Sequence, residues 1–90
     1  MKRIKKNPRP PIGQQIREAR EALGLRQFEL AARAGFQQTH ISRIERGQRV
    51  PVDVRGLSRL ADALGKSLVV DARGAMLVER AELDALGLEP

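Results

Sequence analysis

The sequence predicts a mostly α-helical domain of four to five helices that ends in a short β-strand or hairpin. Three observations carry this expectation. Apolar residues recur at three- and four-residue spacing from Ile12 to Leu64. Glycines follow the end of each such run, at Gly24, Gly35, Gly47 and Gly65. Beyond Gly65 the rhythm changes to two short runs rich in β-branched and aliphatic residues, LVVDA and AMLVE.

Residues 1–11, MKRIKKNPRPP, hold one aliphatic residue, Ile4, and cannot bury enough surface to fold alone; they read as a flexible basic arm. Ile12, Ile16, Ala19 and Leu23 give the first helix its inner face, with Gly24 as its stop. Leu25 turns toward the core from the connection. The second helix spans Gln27 to Ala34, with Phe28, Leu30, Ala31 and Ala34 inward, and Gly35 ends it in the left-handed conformation that glycine adopts at little cost. Ile41 and Ile44 mark a third helix from about Gln37 to Glu45. Asp53 is a suitable N-cap for a fourth, with Val54, Leu57, Leu60, Ala61 and Leu64 at helical spacing. Gly56 within it costs about 1 kcal/mol relative to alanine.

Arg73-Gly74 supplies a tight turn between the two aliphatic runs. A two-stranded hairpin is marginal in water, so Leu68, Val69, Val70, Met76, Leu77 and Val78 are expected to find further partners in a second copy of the chain, giving a homodimer. RAELDALGLEP can add a short amphipathic helix through Leu83 and Leu86. The domain plan is therefore an arm at 1–11, a helical body at 12–65, and a strand and dimerisation segment with a tail at 66–90.

Ninety residues suit one modest domain. There is no cysteine and a single histidine, His40, which argues against disulfides and the usual zinc sites; no metal and no cofactor is expected. No apolar run approaches the ~20 residues of a membrane helix, and the basic start lacks the apolar segment of a secretory signal, so a cytoplasmic location is expected. The net charge of +6 is uneven. Residues 1–50 carry twelve Lys/Arg against four Asp/Glu, and residues 51–90 carry five against seven. A basic half of this kind suits a polyanion, whose condensed counterions are released when phosphates are neutralised. Catalysis has little support, with no Gly-rich phosphate loop, no thiol nucleophile and no implied cleft of acids.

The stretch QFELAARAGFQQTHISRIERG satisfies the constraints of two helices crossing at a tight corner. Leu30 and Ala34 are inner positions of the first helix, and Ala31 is small where the second must pass closely. Gly35 makes the turn, Phe36 fills the corner, and Ile41 and Ile44 pack the second helix back. Gln38, Thr39, Ser42 and Arg43, flanked by His40, are then left on a free face.

With IREAREALGLRQFELAARAG, QQTHISRIERG, a proline-containing loop and LSRLADALG, residues 12–65 resemble the Cro/C1-type (Xre-like) helix-turn-helix regulators of bacteria and phages. The resemblance implies a lambda-repressor-like fold whose second motif helix lies in the major groove of double-stranded DNA, with paired domains reading half-sites about one helical turn (~34 Å) apart. It implies a transcriptional repressor. Carried onto this chain, Gln38, Thr39 and Arg43 approach base edges with His40 beside them, and Gln27, Gln37, Ser42, Arg46, Gln48 and Arg49 hold phosphates. Glutamine suits adenine and arginine suits guanine in that groove. Glu45, the wrong charge for DNA, is assigned to structure as the partner of Arg20. Arg26 departs from the pattern, since the family usually has Thr or Ser there as a helix cap.

The SLVVDARG segment after the fourth helix is similar to the HipB-type branch, whose regulators pair with a kinase-like toxin. That likeness implies an alternative role as an antitoxin, a toxin protein as a further partner, and a docking surface on Asp62, Glu79, Glu82, Asp84 and Glu89. The basic arm has an alternative use in the minor groove.

Overall fold

The computed structural model describes residues 9–81. Four helices, α1 (Ile12–Ala22), α2 (Gln27–Ala34), α3 (Gln38–Glu45) and α4 (Val54–Ala63), precede an antiparallel hairpin of β1 (Lys66–Asp71) and β2 (Gly74–Glu79). The expected fifth helix through Leu83 and Leu86, and the arm before Arg9, lie outside the described residues.

The helices enclose one core. Ile16 and Ala19 from α1, Leu30, Ala31 and Ala34 from α2, Ile41 and Ile44 from α3, and Leu60 with Leu64 at α4 form a continuous buried cluster. Ile16, Leu30, Ile41 and Leu60 are its fully buried large side chains. Phe36, Val50, Val52, Leu57 and Leu77 pack against it from its rim. No described helix is long and apolar enough to cross a membrane.

Three residues expected inside stand outside. Leu23, Phe28 and Val54 are each more than half exposed. Leu23 is the C-cap of α1, its N–H still bonded to the Ala19 and Arg20 carbonyls, and it lies beyond Ala19, the last buried residue of that helix. Phe28 fails on angle: at about 100° per residue it falls well away from the face that Leu30, Ala31 and Ala34 define. Val54 is the first residue of α4, beyond the edge of the core.

The ends of the helices follow their local chemistry. Asp53 caps α4, its Oδ1 accepting from the Gly56 N–H at 2.8 Å. Gly35 closes α2 at φ +74°, and the following Phe36 N–H reaches the Ala31 carbonyl. Arg26 has no acceptor with which to cap α2. Its backbone N–H donates instead to Glu29 Oε1 at 2.8 Å, the acid three residues on taking half of a reciprocal capping arrangement. Helix α3 starts at Gln38, with Gln37 as its N-cap in extended conformation.

Two glycines are there for contact. A methyl group at Gly13 would overlap the Ile44 carbonyl oxygen, so α1 can press on the end of α3 only through glycine. At Gly56 a methyl group would lie 3.0 Å from Val52 Cγ1 and 3.3 Å from Phe36 Cζ. The helix-breaking residue in α4 is thus the one over which the preceding loop folds.

The hairpin is part of the body. Its turn is Ala72-Arg73 rather than Arg73-Gly74, with Gly74 opening β2 opposite Asp71. Asp71 Oδ1 accepts the Arg73 N–H at 2.8 Å and so tightens the turn. Leu77 packs on the helical core, and Val78 is buried. Gln15 of α1 accepts the Leu77 N–H at 2.8 Å and donates to the Ala75 and Pro10 carbonyls. Arg9 grips the carboxylate of Asp71 with two nitrogens, both at 2.9 Å, and donates to the Gly74 carbonyl at 2.8 Å. That grip holds the Asp71 carboxyl down at about 2 and raises the Arg9 guanidinium. Arg9, placed in the flexible arm by composition, is therefore tied to the hairpin 62 residues away.

Candidate nucleic-acid interface

The helix pair α2–α3 is held from beneath by one ionic cluster. Arg20 of α1 meets Glu45, the last residue of α3, through two hydrogen bonds of 2.7 and 2.9 Å, and donates a third to the Leu25 carbonyl at 2.8 Å. Their side chains are only 11% and 3% exposed. Gln27, opening α2, donates to Glu45 Oε1 at 3.1 Å. Three helices thus meet on one carboxylate, whose lone pairs are occupied by cationic and amide donors. The hydrogen bond to Glu45, with desolvation opposing it, raises the Arg20 guanidinium above its ordinary value.

With Ile41 and Ile44 turned inward, the helical period puts Thr39, Arg43 and Arg46 on the opposite side of α3. All three are exposed, as are Gln37, Gln38, Gln48 and Arg49. None of these side chains hydrogen-bonds another described residue. A helix that buries one apolar stripe and leaves amide, hydroxyl and guanidinium groups unengaged on the other has donors and acceptors available for base edges.

The residues expected to hold phosphates divide into two groups. Gln27, Ser42 and Arg46 line one recess of about 180 Å³ between α1 and the helix pair. Gln48 and Arg49 lie on the loop after α3, beside Pro11 and Ile12 at the start of α1. The first recess also contains Arg17, which sequence reading passed over. The signal was available: Arg17 lies one turn before Arg20 on the same helix. Its Nε stands 3.4 Å from Glu21 Oε2 on the open surface, a weak pairing that leaves the cation available. Gln27 is less free than expected, since one amide hydrogen is committed to Glu45.

His40 stands apart from the other candidate base readers. It is half-buried and faces a different groove, lined also by Phe36, Val50, Pro51, Val52 and Arg59. There the Arg59 guanidinium lies 5.1 Å above the centre of the Phe36 ring.

The candidate dimerisation residues share the hairpin without sharing an environment. Val70 is exposed; Leu68, Val69, Met76 and Leu77 are half-buried; Val78 is buried. Of the acidic residues considered for a protein partner, Asp62 faces Arg80 at 3.4 Å and Glu79 pairs with Lys66. Glu82, Asp84 and Glu89 lie outside the described residues.

Comparison with known proteins agrees with this geometry. A family model described as a helix-turn-helix domain matches residues 11–73. The uncharacterized HTH-type transcriptional regulator y4dL of Sinorhizobium fredii is 44% identical over 77 residues, covering 82% of this chain and 37% of the relative. A second such regulator from that organism, y4dJ, is 43% identical over 58 residues, covering 64% of this chain and 74% of its own. The chain therefore spans little more than a third of the first relative's length. Among solved structures, the restriction-modification controller protein C.AhdI from Aeromonas hydrophila superposes with a TM-score of 0.57 at 41% identity, covering 60% of this chain and 80% of the controller. With its α2–α3 pair, the helices that support it, and a family match running from Pro11 to Arg73, the chain belongs to the helix-turn-helix domain family, among its Cro/C1-type transcriptional regulators.

Proposed function

We propose that the chain is a repressor that binds a palindromic double-stranded DNA operator as a homodimer, reading bases with Gln38, Thr39 and Arg43 of α3. The observation that carries this reading is the division of α3 into a buried face, Ile41 and Ile44, and an exposed polar face whose side chains have no partner among the described residues. Gln27, Ser42 and Arg46, with Arg17, engage one phosphate, and Gln48 and Arg49 engage another along the same strand. Gln37 approaches the backbone at the N-terminus of α3, where unpaired N–H groups favour an anion. His40 lies at the margin of the reading surface. A toxin-binding role has less behind it, because Asp62 and Glu79 already have basic neighbours.

Selection of bound fragments from random duplex DNA tests the reading. A palindrome with half-sites one helical turn apart is the expected result; enrichment without two-fold symmetry would remove the homodimeric operator. Arg43→Ala should then cost about 1–3 kcal/mol on the selected site and little on random duplex. Equal losses on both would remove Arg43 as a base reader.

A further inference from the structure

The groove that takes His40 is lined differently from the exposed face of α3. It measures about 430 Å³, within the roughly 300–1,000 Å³ typical of small-molecule sites. Phe36 from the α2–α3 corner and Val50, Pro51 and Val52 from the loop after α3 supply apolar walls. Its floor is α4, along which Asp53, Gly56 and Arg59 follow one another at three-residue spacing. Gly56, without a side chain, keeps the middle of that floor open.

Two donors face this groove unengaged. The Arg59 guanidinium lies over the Phe36 ring, 5.1 Å from its centre, and the His40 imidazole is half-buried. Neither has a hydrogen-bonding or ion-pairing partner among the described residues. A ring contact of this kind restrains a long side chain while leaving its N–H edge free to take a carboxylate bidentately. Asp53, the only acid among the lining residues, stands about 9 Å from Arg59 along the helix axis at 1.5 Å per residue. One of its oxygens already accepts the Gly56 N–H.

We infer that this groove binds a small aromatic monocarboxylate carrying a hydroxyl at its far end, and that its occupancy weakens operator binding. The carboxylate meets Arg59 and His40, and the ring lies against the apolar walls. The hydroxyl donates to the second oxygen of Asp53, which repels any ligand with an acid at both ends. The walls also belong to segments that carry the residues assigned to DNA. His40 is on α3, and Val50 to Val52 follow directly on Gln48 and Arg49. Val52 Cγ1 stands 3.0 Å from the position of a methyl group at Gly56, so the loop rests on α4. A ring entering between them lifts the loop, and the Gln48–Arg49 segment moves with it. The site stands without the DNA reading above; the coupling rests on it, and is reciprocal, since DNA weakens the ligand by the same factor.

Calorimetric titration of the full chain with 4-hydroxyphenylacetate tests the site, and operator titration with and without that probe tests the coupling. Saturable binding is expected, weakened at least tenfold by Arg59→Gln. Gly56→Ala, which narrows the floor, should weaken it similarly while keeping the helical circular dichroism. Phenylacetate should bind several-fold more weakly, and 4-carboxyphenylacetate should not bind. Saturating probe should lower affinity for the selected operator on the order of tenfold. Arg59→Gln should abolish that response and leave operator affinity without probe unchanged; a loss there would make Arg59 a phosphate contact and overturn the site. A wild-type chain that binds operator but not the probe, or a probe that Arg59→Gln holds as tightly, would overturn the site and leave the DNA reading standing. So would Arg59-dependent capture of a glutamate-rich peptide in place of the probe, or a looser dimer in Arg59→Gln, because a protein partner or a second copy would then be the occupant. Probe binding that leaves operator affinity unchanged would overturn the coupling. Failure on every duplex would overturn the DNA reading instead, since the calorimetric titration contains no DNA.

Discussion

Glu45 is an acid at the end of a helix whose exposed face is otherwise neutral or basic, and its surroundings explain why it stands there. The carboxylate receives Arg20 through two short bonds and Gln27 through a third, and is almost fully covered. Its charge is offset by Arg20 where it borders the recess that Arg17, Gln27, Ser42 and Arg46 line. Removing one member of such a covered pair strands the other, which typically costs about 3–5 kcal/mol. Glu45→Ala should accordingly lower stability by roughly that amount in urea unfolding. Arg20→Met combined with Glu45→Leu should recover most of the loss, since the apolar pair leaves no orphaned charge. If the double variant is no more stable than Glu45→Ala, the cluster stabilises by more than mutual neutralisation.

The helices were legible because each shows an inner face in its own spacing, and the exceptions mark where local rhythm meets tertiary geometry. Phe28 looks like a core residue by composition and is not one by angle. Gly56 looks like a flaw in α4 until the loop carrying Val52 is seen to cross it. Gly13 carries no signal at all: it sits early in α1, and only the approach of α3 reveals its purpose. The two glycines should therefore respond differently to alanine. At Gly13 the obstacle is backbone, which cannot turn aside, and Gly13→Ala should cost about 3 kcal/mol or more, read as a lower thermal midpoint. At Gly56 the obstacles are the ends of side chains. The helix propensity gained, about 1 kcal/mol, should offset most of the crowding, leaving Gly56→Ala near wild type. The polar ties from Arg9 and Gln15 to the hairpin were equally hidden, since pairings across some sixty residues leave no periodic trace. The exposed polar face of α3 was visible early because Ile41 and Ile44 take the buried side of that helix.

At the scale of the molecule, charge and fold divide the same way. Among the described residues, 9–50 carry eight Lys/Arg against four Asp/Glu and contain the helix pair, the Arg17–Arg46 recess and the loop with Arg49; residues 51–81 carry five against four and contain α4 and the hairpin. A polyanion is drawn toward the part of the body with the larger excess of positive charge. Affinity should then fall steeply with salt, with a slope set by the number of phosphates neutralised, and each cation that touches a phosphate contributes about one unit to that slope. Arg46→Ala and Arg49→Ala should each flatten the dependence of log K on log salt by about one, on cognate and random duplex alike. Arg17→Ala should do the same if the recess it shares with Gln27, Ser42 and Arg46 holds a phosphate. Arg73→Ala, which removes an equal charge from the hairpin turn, should leave the slope unchanged. An equal flattening from Arg73→Ala would mean that net charge alone draws the DNA, and the two phosphate positions assigned around α3 would lose their support.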